Sequence, residues 1–290
     1  MDILVTGGTG QVGIELLRQS WPDGVRLHAP GRDELDLADP TSVARVAAAR
    51  PWAAIISSGA YTAVDKAESD VAAAWAANAL APAILAKAAA EAGAPILHLS
   101  TDYVFAGDKP EPYVEDDPVG PISVYGASKE GGEQAVRTAN PRHAILRTAW
   151  VVSPHRSNFL RTMLRLAGDR DELRVVADQQ GCPTFAADLA AASRTIVLRQ
   201  IAEPDAPSGT FHFVGEGDAT WAGFAEAIMA ASAARGGPSA RIVPITTAEY
   251  PTPARRPANS RLSTEKLRAA YGIVPPPWRD SLEVAIAALG

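Results

Sequence analysis

The 290-residue chain carries 27 Lys and Arg against 33 Asp and Glu, a formal net charge of −6, with 47% hydrophobic and 21% charged residues. That balance belongs to an ordinary soluble globular protein rather than a disordered or fibrous one. Without a long Lys or Arg run, it also argues against a nucleic-acid partner. Cys182 is the one cysteine, which excludes an intrachain disulfide and points to a reducing compartment.

Met1 is followed at once by the apolar run Ile3-Leu4-Val5, with no basic n-region or long apolar segment of signal-peptide type, so a cytoplasmic location is expected. The first strand, DILVT, leads into GGTGQVG and a helix from Gln11. Further strands are expected at VRLHA, AAIISS, PILHLS and HAILRT, with alanine-rich helices between them. Such alternation predicts βαβ units and an α/β fold, a Rossmann-type doubly wound parallel sheet covered on both faces. The apolar stretch Ala67 to Ala94 is interrupted by Glu68, Asp70, Asn78, Pro82, Lys87 and Glu91, so no membrane span is expected.

Beyond Trp150 the pattern reads as helix NFLRTMLRLAG, strand LRVVA, a helix from Ala187, strand GTFHFV, a helix from Thr220, strand RIVPI and two short helices. Pro and Gly thicken in SPHRS, AEPDAPSG and YPTPARRPANS. The expected division is a dinucleotide-binding domain over 1–150 and a smaller α/β substrate domain over 151–290, with elements free to return to the first.

Gly7, Gly10 and Gly13 stand at GxxGxxG spacing between the first strand and the first helix. Glycines there allow a tight turn and close approach to a pyrophosphate, which the helix N-terminus attracts. At the end of the second strand, an Arg would pair with a 2′-phosphate and an acidic residue with a free 2′-hydroxyl. Arg32 tilts the choice toward NADPH over NADH, while Asp33 and Glu34 stand close by. Asp36 and Leu37 would come near the adenine edge of a doubly wound sheet.

Tyr125 and Lys129 are one helical turn apart, which puts both side chains on one face. They read either as an acid-base pair or as a solvated polar face. A phenol of pKa about 10 needs a nearby cation to work at neutral pH. The strand PILHLS ends at Ser100, Thr101 and Asp102, and ligands of open parallel sheets bind at such carboxyl ends. A hydroxyl, a phenol and an ammonium could therefore converge on one carbonyl oxygen.

The glycine turn with Thr101, Tyr125 and Lys129 resembles the extended short-chain dehydrogenase/reductases. More narrowly, GGTGQVG, AYTAVDKAE, STDYVFAGD, VYGASKEGGE, LRTAWV, NFLRTMLRLA, DQQGCPT and YPTPARRPANSRL resemble, in order, the dTDP-4-dehydrorhamnose reductase family. The resemblance implies that NADPH, or NADH less selectively, reduces C4 of dTDP-4-dehydro-L-rhamnose to give dTDP-L-rhamnose for cell-surface polysaccharide.

It casts Tyr125 as proton donor, Lys129 as the group that lowers its pKa and bonds the nicotinamide ribose, and Thr101 as polarising the carbonyl. Asp102 would hold a sugar hydroxyl or tune the proton balance. It also places Gln11 and Val12 at the cofactor, with Gly59, Ala60 and Tyr61 at its pyrophosphate and ribose. Trp150 would pack on the deoxysugar, Asn158 would touch the substrate, and Arg255 and Arg256 would meet the diphosphate, which a guanidinium suits. Related 4,6-dehydratases carry Glu where this chain has Tyr103, so simple reduction is favoured over elimination. His98 reads as a packing residue and Cys182 as a spectator thiol.

Some members form a metal-linked dimer through glutamates. Here Glu15 is present, but Ala187 stands at a later position where another is expected, and the five histidines have no metal-ligand spacing. No metal is expected, and the chain is either a monomer or a homodimer. Two rivals stand beside this reading: a 4-ketoreductase of another nucleotide deoxysugar, and a nucleotide-binding subunit like the regulatory protein of methionine adenosyltransferase.

Overall fold

In the computed structural model, which describes residues 1–289, the apolar runs of the first half form β1 (Asp2–Thr6), β2 (Arg26–His28), β3 (Ala54–Ser57), β4 (Ile96–Thr101) and β5 (His143–Thr148). Between them stand α1 (Gln11–Arg18), α2 (Pro40–Ala47), α3 (Val64–Ala67), α4 (Val71–Trp75), α5 (Ala81–Glu91) and α6 (Val124–Ala139). The second half contributes β6 (Val151–Val152), α7 (Phe159–Ala167), β7 (Glu172–Val176), β8 (Gln180–Gly181), β9 (Thr184–Phe185) and α8 (Ala186–Ala202). It ends with β10 (Gly209–His212), β11 (Ala219–Thr220), α9 (Trp221–Ala233), β12 (Arg241–Ile245), α10 (Glu265–Tyr271) and α11 (Trp278–Ala287).

Six strands form one sheet in the order β10-β5-β4-β3-β1-β2, every neighbouring pair parallel. Strands of such a sheet are covered on both faces and so read as unbroken apolar runs, and all six residues of β4 are buried. Ile3, Val5, Ile56, Leu97 and Leu146 pack toward α1 and α8 on one face. Leu4, Ile55, Ile96 and Ile145 pack toward α2, α5 and α6 on the other. β10 comes from the second half of the chain and pairs Phe211 with Leu146.

The chain passes from β1 out to β2 and back to β3 on the other side of β1. This reversal opens a crevice at the carboxyl ends of β1 and β3, the place where such sheets bind ligands. α4, a π-helical turn over Ala76–Leu80 and α5 run on continuously as Val71–Glu91, with a window of mean hydropathy 1.4. By composition that run could cross a membrane. In the fold, Leu85, Ala86 and Ala89 are fully buried among α2, α6 and β3.

A second core holds Leu160 and Met163 of α7, Phe224 and Ile228 of α9, and Trp278 and Leu282 of α11. Short ladders frame it: β12 parallel to β7, β6 parallel to β9, and β11 antiparallel to β8. Asn158 and Thr220 cap α7 and α9, each side-chain oxygen accepting a backbone N–H.

Candidate active site

Gly7 follows β1 at φ 70 and its carbonyl accepts the N–H of Gly10 at 2.8 Å. A Cβ on Gly7 would lie 2.6 Å from Gly59 Cα, and one on Gly13 would lie 2.2 Å from Gly7 O. Only glycines allow this packing of turn, helix and β3 loop, and the result is a bare backbone cradle at the start of α1. From it runs a cavity of about 620 Å³, lined by Gly7, Gly10, Gln11, Val12, Gly13, Arg32, Asp36, Leu37, Gly59, Ala60, Tyr61, Tyr125 and Lys129. Every residue expected at the cofactor thus faces one space. Thr148, at the end of β5, lines it too, and its buried hydroxyl has no hydrogen-bond partner. A dinucleotide fits such a site: a cradle that a single Cβ would fill at one end, a free polar atom at the other.

At the outer end, Arg32 is exposed and pairs loosely with Asp36 at 3.7 Å. Arg45 of α2 stands in the same hollow and donates to the Glu34 carbonyl oxygen at 2.6 Å. Sequence reasoning missed Arg45, because nothing local marks which face of α2 turns toward the β2 loop.

α6 carries the inner end. Ser123 caps it by accepting the N–H of Gly126, and Lys129 and Glu133 lie on its buried face. Lys129 donates to the Leu99 carbonyl oxygen at 2.6 Å and sits 3.3 Å from His98 Nε2. Burial lowers the ammonium to about 8. The Tyr125 phenol moves the other way, raised by burial and then by the Asp102 charge, with Thr101 as the neighbour that pulls it down. Lys129 is not among the groups that shift the phenol here. Its ammonium is turned to the β4 backbone and His98, and desolvation of the phenol dominates.

Thr101 donates to Asp102 Oδ1 at 2.9 Å and accepts the N–H of Tyr103 at 3.2 Å. Asp102 is 3% exposed, its Oδ2 has no partner, and burial raises its carboxyl to about 6. Tyr103 meets Tyr125 edge to face at 5.4 Å and is itself raised by burial to about 12.

The expected substrate residues divide. Thr101, Asp102 and Tyr125 cluster, and Arg256 stands near Tyr103 while donating to Asp65 at 2.8 Å, its buried Nη1 unpartnered. Arg255 is exposed beside it. Asn158 is occupied inside the protein: its amide donates to Gln11 Oε1 at 2.8 Å and its oxygen caps α7. Trp150 adopts a left-handed backbone, φ 51, and stacks on Trp221 at 3.6 Å rather than lining the cavity. Trp221, 71 positions later, carried no signal of this pairing.

Two further residues were missed or misread. Asn78, in the π turn, accepts from Tyr61 N and donates to Tyr61 O and to Ser128 Oγ, tying the β3 loop to α6. A π turn in an alanine-rich helix often marks a functional place, and a lone Asn there was the available signal. His98, read as packing, contacts Lys129. Cys182 is buried and raised to about 12, as an inert thiol would be. Glu15 Oε1 lies 3.0 Å from His155 Nε2, and the acidic group that feels its charge is Asp188, not residue 187. Among the described residues, no group of three or more His, Cys, Asp or Glu could hold a metal ion.

Comparison with known proteins agrees across the whole length. The family model described as RmlD substrate binding domain matches residues 1–290. The chain is similar to dTDP-4-dehydrorhamnose reductase of Sinorhizobium fredii (strain NBRC 101917 / NGR234), 49% identical over 290 residues, covering 100% of this chain and 98% of that protein. Among solved structures, it is similar to a dTDP-4-dehydrorhamnose reductase of Clostridium acetobutylicum ATCC 824, with TM-score 0.92, 36% identity and coverage of 100% and 99%. It is also similar to that of Bacillus anthracis str. Ames in complex with NADP, with TM-score 0.90, 33% identity and coverage of 99% of each chain.

Proposed function

The chain belongs to the RmlD substrate binding domain family, and on that premise we propose that it is an NADPH-dependent dTDP-4-dehydrorhamnose reductase, converting dTDP-4-dehydro-L-rhamnose to dTDP-L-rhamnose. The observation that carries the reading is the single cavity with the bare glycine cradle at one end and Tyr125 and Lys129 at the other.

The Gly7 to Gly13 turn and the first turn of α1 would hold the pyrophosphate, Arg32 the 2′-phosphate, and Lys129 the nicotinamide ribose. Bound there, the reduced nicotinamide supplies a hydride to C4 of the keto sugar. The oxygen at C4 gains negative charge as the carbonyl is reduced, and Tyr125 donates its proton to that oxygen. Burial and the Asp102 charge keep the phenol protonated at neutral pH, the state a donor needs. Lys129 stabilises the phenolate left behind, a service that requires the ammonium form.

Thr101 polarises the same ketone. It has one O–H, which Asp102 accepts in this structure, so a bond to the substrate requires Asp102 to release it. With its carboxyl raised to about 6, Asp102 governs which way that bond runs. Arg256, with a buried unpartnered Nη1, is the guanidinium best placed to receive an anionic group of the substrate.

The test is loss of reduced-nicotinamide absorbance with purified protein, NADPH and freshly generated dTDP-4-dehydro-L-rhamnose, with Tyr125→Phe run beside it. General acid catalysis contributes about 10²- to 10⁴-fold, so the variant is expected to lose at least that in kcat with its cofactor affinity kept. A wild type that binds NADPH without oxidising it would sink the assignment of this substrate.

A further inference from the structure

We propose that His98 is a positioning residue: its Nε2 lone pair and the Leu99 carbonyl oxygen hold two of the three N–H groups of Lys129, which aims the third into the cavity. The inference rests on the reading of Lys129 as the ammonium that serves the reduction.

The hydrogen-bonding chemistry of the two residues allows one assignment. An ammonium only donates, and a neutral imidazole has one donor and one acceptor. His98 Nε2, 3.3 Å from Lys129 Nζ, must accept, and Nδ1 must carry the hydrogen. That hydrogen has a partner in Ser57 Oγ at 3.1 Å. Ser57 and His98 are register partners across β3 and β4, so the ladder itself sets this bond and with it the tautomer. All three side chains are at most 2% exposed, so water does not compete for these bonds. Burial, and then the Lys129 charge, hold the imidazole neutral. The helix leaves room for the ring: a Cβ on Gly132 would meet Asn78 O at 2.1 Å and His98 Nε2 at 3.4 Å.

The charged groups around Lys129 leave the orienting task to His98. Glu133, on the same helix, raises the ammonium, but its oxygens are taken by Arg147 of β5, Arg137 and Ser100. Asp102 and Tyr125 stand at the ends of β4 and α6, and Lys66 and Asp70 line the far wall of the cavity. None of these is hydrogen-bonded to Nζ, whereas the Leu99 oxygen and His98 are. An acceptor aimed at an ammonium favours its charged form. Removing it should make Lys129 lose its proton at lower pH.

His98→Leu removes the acceptor, His98→Gln restores one at about the same reach, and Ser57→Ala leaves the ring without its tautomer lock. The midpoint of Lys129 can be read by NMR of lysines labelled at Cε, and the alkaline limb of kcat by NADPH oxidation. A hydrogen bond to a charged group is worth roughly tenfold or more. The leucine variant is therefore expected to move midpoint and limb down about one pH unit from about 8, and so to lose about fivefold in kcat at pH 8 and about tenfold at higher pH. Ser57→Ala should shift both by less in the same direction, and the glutamine variant should sit near the wild type. A uniform loss at every pH, an unmoved midpoint, or a glutamine variant no better than leucine would overturn the assignment. If His98→Leu does not fold, an unmoved midpoint in Ser57→Ala overturns it equally. If the wild type reduces no keto sugar, the reductase reading falls alone, because the NMR midpoint still reads the His98 to Lys129 bond.

Discussion

Arg32 illustrates how little a single exposed side chain reveals until its surroundings are known. Its guanidinium is 81% exposed and only 3.7 Å from Asp36, so the pair contributes little to stability. What it supplies is a charge at the mouth of the cavity, shared with Arg45 of the same hollow. On the proposed reading, Arg32→Ala weakens NADPH roughly tenfold and leaves NADH within about twofold, a modest effect because solvent screens the site. Steady-state KM values for the two cofactors check this, and equal losses would remove Arg32 from the 2′-phosphate. Asp102 is the contrasting case, since burial alone moves its carboxyl into the range where it changes charge near neutrality.

A buried ion pair links α6 to β5 beside the apolar contact of Val136 with Ile145. Arg147 donates through Nε at 2.8 Å and Nη2 at 2.7 Å to the two oxygens of Glu133, with Ser100 and Arg137 completing the set. Burial pushes the Glu133 carboxyl up, yet Arg147 and its other donors bring it below the usual carboxylate range. Such a pair costs desolvation on both sides, but breaking it leaves an uncompensated charge. Arg147→Ala is therefore expected to cost about 3 to 5 kcal/mol in urea unfolding, while the double variant Glu133→Leu with Arg147→Met should cost much less. Equal costs would mean that the pair is not what joins helix to strand. Lys129 lies one turn before Glu133, so this link also holds the candidate site against the sheet.

Across the whole molecule, the second half of the chain is sewn into the first by β10. His212 of that strand is fully buried, its ring nitrogens have no partner, and burial lowers it to about 3. Between that value and the ordinary 6.5, the unfolded chain binds a proton that the native state refuses. Stability from this group is complete above about pH 6.5 and falls as the pH drops through that window. His98 acts in the same sense, and Asp102, raised to about 6, in the opposite sense between its ordinary value and pH 6. The difference in unfolding free energy between wild type and His212→Asn isolates the one group. It should shift by about 2 kcal/mol in favour of the variant between pH 7 and pH 5, and a pH-independent difference would refute the neutral buried imidazole.

Local features were enough to reveal the parallel sheet, the glycine turn and the Tyr125 to Lys129 spacing. Alternating apolar runs, a GxxGxxG turn and a four-residue helical step each act over a few residues, so their meaning survives without the rest of the chain. The partners of those residues were not legible in the same way. Ser57, His98 and Lys129 meet because β3 pairs with β4 in one register and α6 is rotated to face them. Trp150 stacks on Trp221, which comes from a distant helix start. Arg45 reaches the hollow beside Arg32 through the packing of α2. Such contacts depend on strand register and helix rotation, which the packed core sets through many long-range contacts at once and no short stretch of residues records.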